Sequence, residues 1–295
     1  MNHRERVMTA LNHEAPDRCP MQVSFTPEFA ARLRKDLGMD DGQMHNPHGG
    51  GNTYHLEKAI DEDMLLTSVG WANCYYQEKN DYGDEWGIGW HATSYNTPFG
   101  EGCYTEISGH PLSDNRAIAS YKAPDPTRPE LYKEAELLLK EYSNEYFICG
   151  VTVTTIFEAA WALRGLTQLL TDFVSDPDLA NAVLDIPYQY HLTAAKKLTE
   201  MGVDMIWIGD DMGAQNNMII SPRMWRKFFK PRMAEFISSL KTINPNVKVA
   251  YHSDGNIDAI IPDLIEIGLD VLNPIQPASM DPAIVKEKYG DKLCF

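Results

Sequence analysis

The chain has 295 residues, of which 43% are apolar, with a formal net charge of −16 and a sequence pI of about 4.9. That length exceeds a small single-core domain and suits a (β/α)8 barrel, and the acidity argues against a nucleic-acid backbone or an anionic membrane as partner. The five cysteines, Cys19, Cys74, Cys103, Cys149 and Cys294, form no CxxC pair and are odd in number, which argues against a disulfide framework and points to a reducing, cytoplasmic setting. The opening MNHRERVMTALNHEAPDR has no uninterrupted apolar core and no small-residue cleavage site. No later run approaches a membrane span.

In chain order, Arg4 to Leu11 reads as a short helix with Val7, Met8 and Leu11 on one side. CPMQVSF (19–25) is the first strand candidate, and a helix follows from Pro27 to Leu37, stopped by Gly38. HNPHGGGN (45–52) lacks the GK[ST] ending of a phosphate loop and reads as a loop able to cover a site. Met64 to Val69 is the second strand. From Trp71 to Ile107 tyrosine, tryptophan, glycine and asparagine dominate, the pattern of short antiparallel strands and turns. We read 71–107 as an insertion within a single domain spanning 1–295. Its aromatics are expected to cover a core edge, and secondarily to wall a pocket for a flat ligand.

A proline-punctuated linker and an amphipathic helix fill Ala123 to Ser143, and YFICGVTV (146–153) is the third strand. Thr154 to Leu170 reads as helical. The next helix is expected to be capped by Ser175, stopped by Gly202, and kinked or divided at Pro187. Then the chain repeats itself: EMGVDMIWIGDD (200–211) and EIGLDVLNPIQP (266–277) share one layout, with the strand VKVAYH (247–252) between them. Such echoes imply consecutive parallel strands joined by helices, with Pro231 breaking one connecting helix in two. A seventh strand begins at Leu293. Ending inside it at Phe295 reads as truncation, since an apolar strand is left at an unpaired edge. The expected fold is therefore an α/β (β/α)8 barrel lacking its last strand and helix.

In a parallel barrel the strand C-termini share one mouth. This brings together Asp210 and Asp211 after the fourth strand, His252 and Asp254 after the fifth, and Asn273 and Gln276 after the sixth, with Glu158 nearby. Adjacent residues on a strand face opposite ways, so at most one of Asp210 and Asp211 is expected to face the mouth, whereas His252 and Asp254 share a side. Asp210, Asp211 and His252 are the catalytic candidates, as base, ligand acceptor or proton shuttle. Glu158, Gln215, Asn216, Tyr251, Asn273 and Gln276 are candidates for substrate contact. His252 and Asp254 suit zinc or another divalent ion, with a third ligand expected from Asp210, Glu158 or a residue beyond position 295; the alternative is a turn that caps the next helix. Arg164, Arg223 and Arg226 are candidates for gripping an anion or, equally, solvated helix faces.

The segments RERVMTALNHEAPDRCP, GDDMGAQNNMIISPRMWRKFFKPRM, HSDGNIDAIIPDLIEIGLDVLNPIQP and YGDKLCF together resemble the uroporphyrinogen decarboxylase superfamily, which implies a (β/α)8 barrel with its site at the strand C-termini. In that superfamily the decarboxylases hold the substrate's carboxylates with an MRQAGR-like segment after the first strand and use no cofactor. Here the region reads MQVSFTPEFAARLRK. The resemblance is therefore nearer the corrinoid-dependent methyltransferases, whose His-x-Cys motif binds zinc. This chain has His252-Ser253-Asp254, an aspartate where the thiolate would be, which makes a bound ion harder and more Lewis acidic. The implied activity is methyl transfer between a corrinoid or similar carrier, brought by a partner protein, and a small-molecule acceptor, with a homo-oligomer compatible. The alternatives are cofactor-free decarboxylation of uroporphyrinogen III or a related acid, and a non-catalytic ligand-binding barrel.

Overall fold

The computed structural model describes residues 1–39, 53–75, 80–98 and 100–295. The glycine-rich stretch 45–52 lies outside the described residues. The strands are β1 (Met64–Ser68), β2 (Tyr82–Gly83), β3 (Gly89–Thr97), β4 (Gly100–Gly109), β5 (Phe147–Val153), β6 (Met205–Gly209), β7 (Lys248–His252) and β8 (Val271–Asn273). They form a parallel sheet in the order β1-β5-β6-β7-β8 and an antiparallel sheet in the order β2-β3-β4. The register of the parallel sheet runs Ser68 beside Val151, Val151 beside Trp207, and Gly209 beside His252, so its C-terminal ends are level. Cys294 bridges to Val271 in parallel, where the seventh strand is expected to begin.

Side-chain alternation decides what each face of the parallel sheet packs against. Leu66, Cys149, Val151, Met205 and Ala250 cluster with Val7, and Met8 and Leu11 of the same His3–Leu11 helix join them. Their neighbours Leu65, Ile148, Ile206, Val249 and Leu272 point the other way, into the layer of connecting helices. Each fully buried residue of this kind contributes about 1.5–3 kcal/mol, and a strand with both faces covered reads as a continuous apolar run, as MLLTS, FICGVTV and MIWIG do.

The N-terminal helix is clamped by charge as well as by packing. Asp63, fully buried, accepts from Arg6 and Arg18 at 2.6 Å each and from the Met21 N–H at 2.7 Å, and pairs with His3 at 2.9 Å. Burial works against its charge, but these partners outweigh it and hold the carboxyl below its ordinary value. The same contact explains why residues 19–25 are not a strand. Their donor at Met21 is taken by the Asp63 side chain, Pro20 has no N–H to offer, and one backbone bond, Asp63 N–H to Met21 carbonyl at 2.8 Å, joins them to β1.

Two helix boundaries differ from the sequence expectation. Gly165, at φ +91, splits 154–170 into Phe157–Arg164 and Leu166–Ser175. Asp176, not Ser175, caps the following helix by accepting from Leu179 N–H. That helix runs undivided from Pro177 to Met201; Pro187 is buried inside it, where tertiary packing offsets the lost hydrogen bond. At Pro231 the break is as expected, between Pro222–Phe228 and Lys230–Ile243.

The antiparallel sheet has its own core of Trp71, Trp86, Ile88, Trp90 and Leu112, closed by Ala159, Leu163 and Tyr190 from the main helices. Trp90 stacks between Tyr82 at 5.9 Å and Trp71 at 5.6 Å, and its Nε1 donates to Asp84 at 2.9 Å. The aromatics of this region are thus mainly core.

Candidate active site at the strand C-termini

The site begins where β6 and β7 end side by side. A Cβ on Gly209 would lie 2.5 Å from that of His252, so only glycine lets the imidazole stand there. Asp210 and Asp211 then diverge, as alternation requires. The Asp210 carboxylate, buried, accepts from the N–H groups of Ile156 at 3.0 Å and Glu158 at 2.9 Å. It caps the Phe157–Arg164 helix from outside that helix. Burial pushes its pKa up to about 7 against the pull of those donors.

Asp211 turns to the cavity. Its Oδ1 accepts from the Asp254 N–H at 2.9 Å, and its own N–H donates to Glu158 Oε2 at 3.2 Å. His252 Nδ1 lies 2.8 Å from Asn273 Oδ1. The amide oxygen only accepts, so Nδ1 carries the proton and Nε2 faces the acids. Nε2 is 3.7 Å from Asp211 Oδ1 and 3.9 Å from Asp254 Oδ1. One ligand atom each from Asp211, His252 and Asp254 lie within 4.8 Å of one another. Asp211, rather than Asp210 or Glu158, thus lies with His252 and Asp254 where a third ligand would be needed.

Burial, then the neighbouring charge of Asp211, raises the Asp254 pKa, with His252 opposing. Glu158 is driven well above the ordinary carboxyl range, first by burial and then by Asp210 and Asp211.

Of these side chains Glu158, Asp211, His252 and Asn273 border a cavity of about 520 Å³ also lined by Leu66, Val151, Val153, Trp207, Gln22 and Ser24, while Asp254 stands beside it. Thr154, which also lines it, holds a left-handed φ of 59 just after β5, a conformation disfavoured for a β-branched residue. A second cavity, about 660 Å³, lies toward the strand N-termini by Met64, Met205 and Ala250 and shares Trp207 with the first.

The loops after β6 and β7 are locked to each other. A Cβ on Gly255 would meet the Gly213 carbonyl carbon at 2.4 Å, and Gly255 itself has φ +78. Ser253, fully buried, accepts from the Met212 N–H at 3.0 Å, and Gln276 accepts from the Gly255 N–H at 2.8 Å. Gln276 thus holds a turn. Gln215 donates to the Ala278 carbonyl on the outside, and Asn216 is exposed. Tyr251 is buried on the face opposite His252, its hydroxyl 3.3 Å from the Asp210 carbonyl. None of these four lines the 520 Å³ cavity. Arg164 pairs with Asp172 and Arg226 with Asp263, while Arg223 is exposed. Gly209, Gly213 and Ser253 escaped the sequence reading, although a glycine ending an apolar strand just before two acids was a usable signal. Thr154 gave none.

Parallel α/β topology with an acid–imidazole cluster at the strand C-termini defines an enzyme-like α/β architecture. The family model for uroporphyrinogen decarboxylase (URO-D) matches residues 94–294, and the chain belongs to that family. Among solved structures it is similar to a methyltransferase from Methanosarcina mazei, with a TM-score of 0.59 and 16% sequence identity over 92% of this chain and 75% of that chain. At that identity the likeness is one of fold. No curated protein matches the chain by sequence. No helix among the described residues is long and apolar enough to cross a membrane.

Proposed function

We propose that this URO-D family member transfers a methyl group between a corrinoid-type carrier and a small acceptor in the 520 Å³ cavity, with a divalent cation held by Asp211, His252 and Asp254. The observation that carries this reading is the convergence of three ligand atoms within 4.8 Å. The residues fit a cation. Three protein ligands are the usual complement of a catalytic zinc site, and the Nδ1–H of His252 is engaged by Asn273, the outer partner that ligating histidines commonly have. One imidazole and two carboxylates suit zinc, manganese or iron better than a soft ion. Such an ion, when bound, supplies Lewis acidity toward an oxygen or nitrogen acceptor more readily than toward a thiol.

The chain's own residues do the rest. Glu158 lines the cavity and braces Asp211 by accepting its N–H. Leu66, Val151, Val153 and Trp207 line it with apolar surface that excludes water. The parallel order β1-β5-β6-β7-β8, continued by Cys294, supports a (β/α)8 wall with residues 19–25 beside β1. A corrinoid protein is the partner this activity requires.

Cofactor-free decarboxylation of uroporphyrinogen is the competing reading. The described lining of the cavity offers no lysine or arginine and contributes Asp211 and Glu158, which weighs against a polycarboxylate substrate. The test is demethylation of methylcobalamin, followed by absorbance, against a panel of hydroxyl, amine and thiol acceptors. Turnover with a hydroxyl or amine, lost in His252→Ala, supports the proposal. Turnover of uroporphyrinogen with no methyl transfer to any acceptor overturns it.

A further inference from the structure

Beside the antiparallel sheet lies a cleft of about 800 Å³, separate from the acid–imidazole cluster, between that sheet and the two helices that meet at Gly165. Its walls include Tyr75, Trp161 and Ile107, with His110 at one end. Tyr75 also lines the 520 Å³ cavity, so the two spaces adjoin.

The cleft presents one ring acceptor beside its aromatic walls. His110 Nδ1 donates to the Ala162 carbonyl at 2.7 Å, which leaves Nε2 of the neutral ring as an acceptor with no partner among the described residues. Gly165 keeps the space beside that edge open: a side chain there would meet His110 Cδ2 at 3.5 Å and Nε2 at 3.7 Å. The exposed Glu106 on the rim adds negative charge. Among the described residues of the lining the one cation, Arg164, is buried and engaged by Asp172, the Leu112 carbonyl and Asn115, at 2.8, 2.6 and 2.6 Å. A ligand without an N–H or O–H has no proton to offer His110 Nε2. A planar ring that is neutral or cationic and carries an N–H would meet aromatic side chains and one well-placed acceptor.

We propose that this cleft binds a planar N–H-bearing heteroaromatic ligand, its ring against Trp161 and Tyr75 and its N–H on His110 Nε2. The site does not depend on the methyl-transfer reading.

The test is isothermal titration of the whole chain, at mildly alkaline pH, with benzimidazole, N-methylbenzimidazole and benzoate. Benzimidazole is expected to bind saturably, and N-methylbenzimidazole and benzoate, neither of which can donate to His110 Nε2, about five- to tenfold more weakly for the lost hydrogen bond. His110→Phe, which keeps a ring, is expected to erase the difference between the first two. His252→Ala is expected to leave all three titrations unchanged, which separates this cleft from the acid–imidazole cavity. The N-methyl comparison needs only the unaltered protein, so a variant that folds poorly does not blunt it. Equal binding of the two benzimidazoles, preference for benzoate, absence of saturable binding, or dependence on His252 would each overturn the proposal.

Discussion

The backbone N–H of Asp254 donates to the carboxylate of Asp211 at 2.9 Å, so the loop after β7 is tied to the loop after β6 by one of the acids that face the cavity. Asp211 is thereby both a presented carboxylate and a brace. Its neighbour Asp210 is neither; it caps a helix.

This division predicts opposite behaviour of adjacent aspartates. Asp210→Ala removes the acceptor for two helical N–H groups and is expected to cost about 1–2 kcal/mol, a fall of several degrees in Tm. Asp211→Ala is expected to change Tm much less and to abolish cation binding. Thermal unfolding with and without manganese, read by circular dichroism, checks both.

Gly255→Ala places a methyl group against the Gly213 backbone at a positive φ. Since neither backbone can yield without moving an acid, the variant is expected to lose more than about 2 kcal/mol and at least tenfold in cation affinity. Calorimetric titration alongside urea denaturation checks this. Unchanged affinity would mean that the two loops are not what positions Asp211 and Asp254.

Glu62 is buried, and burial, followed by the charge of Glu57, pushes its pKa up to about 8 from an ordinary 4.5. The folded chain keeps this proton where the unfolded chain has lost it. The contribution to stability is therefore full below about pH 4.5 and is lost as pH rises toward 8. Glu62→Gln is expected to flatten that decline. Urea denaturation at about pH 5 and about pH 8.5 checks it, with the larger gain for the variant at the higher pH.

The Asp63 clamp predicts the reverse sign. Its pKa is lowered in the fold, so its contribution is present above the ordinary carboxyl range and is lost as pH falls. Asp63→Asn removes one of the two carboxylates that hold Arg6, Asp17 being the other, and is expected to cost about 1–3 kcal/mol. Guanidinium denaturation at neutral pH measures it, and a loss below about 1 kcal/mol would contradict the clamp.

Much of this was legible in the sequence because it rests on periodicity. The apolar runs at 64–69, 146–153, 204–210, 247–252 and 270–275 match β1, β5, β6, β7 and β8, each a buried parallel strand bounded by turn residues. The rule that adjacent strand residues face opposite ways separated Asp210 from Asp211 and paired His252 with Asp254. What the sequence hid was set by tertiary contact. CPMQVSF has strand composition, but the Asp63 side chain takes its donor. Tyr251 sits next to His252 in the chain and on the other face of the sheet. Gln276 and Ser253 look like mouth residues but hold loop backbone.

The measurement that tests the central claim most directly is the metal content of anaerobically purified protein, beside Asp211→Ala, His252→Ala and Asp254→Ala. The account predicts about one divalent ion per chain, lost in all three variants while their circular dichroism spectra stay native. Chains that bind no divalent ion even when one is supplied, or an ion that stays bound in Asp211→Ala and Asp254→Ala, would contradict it.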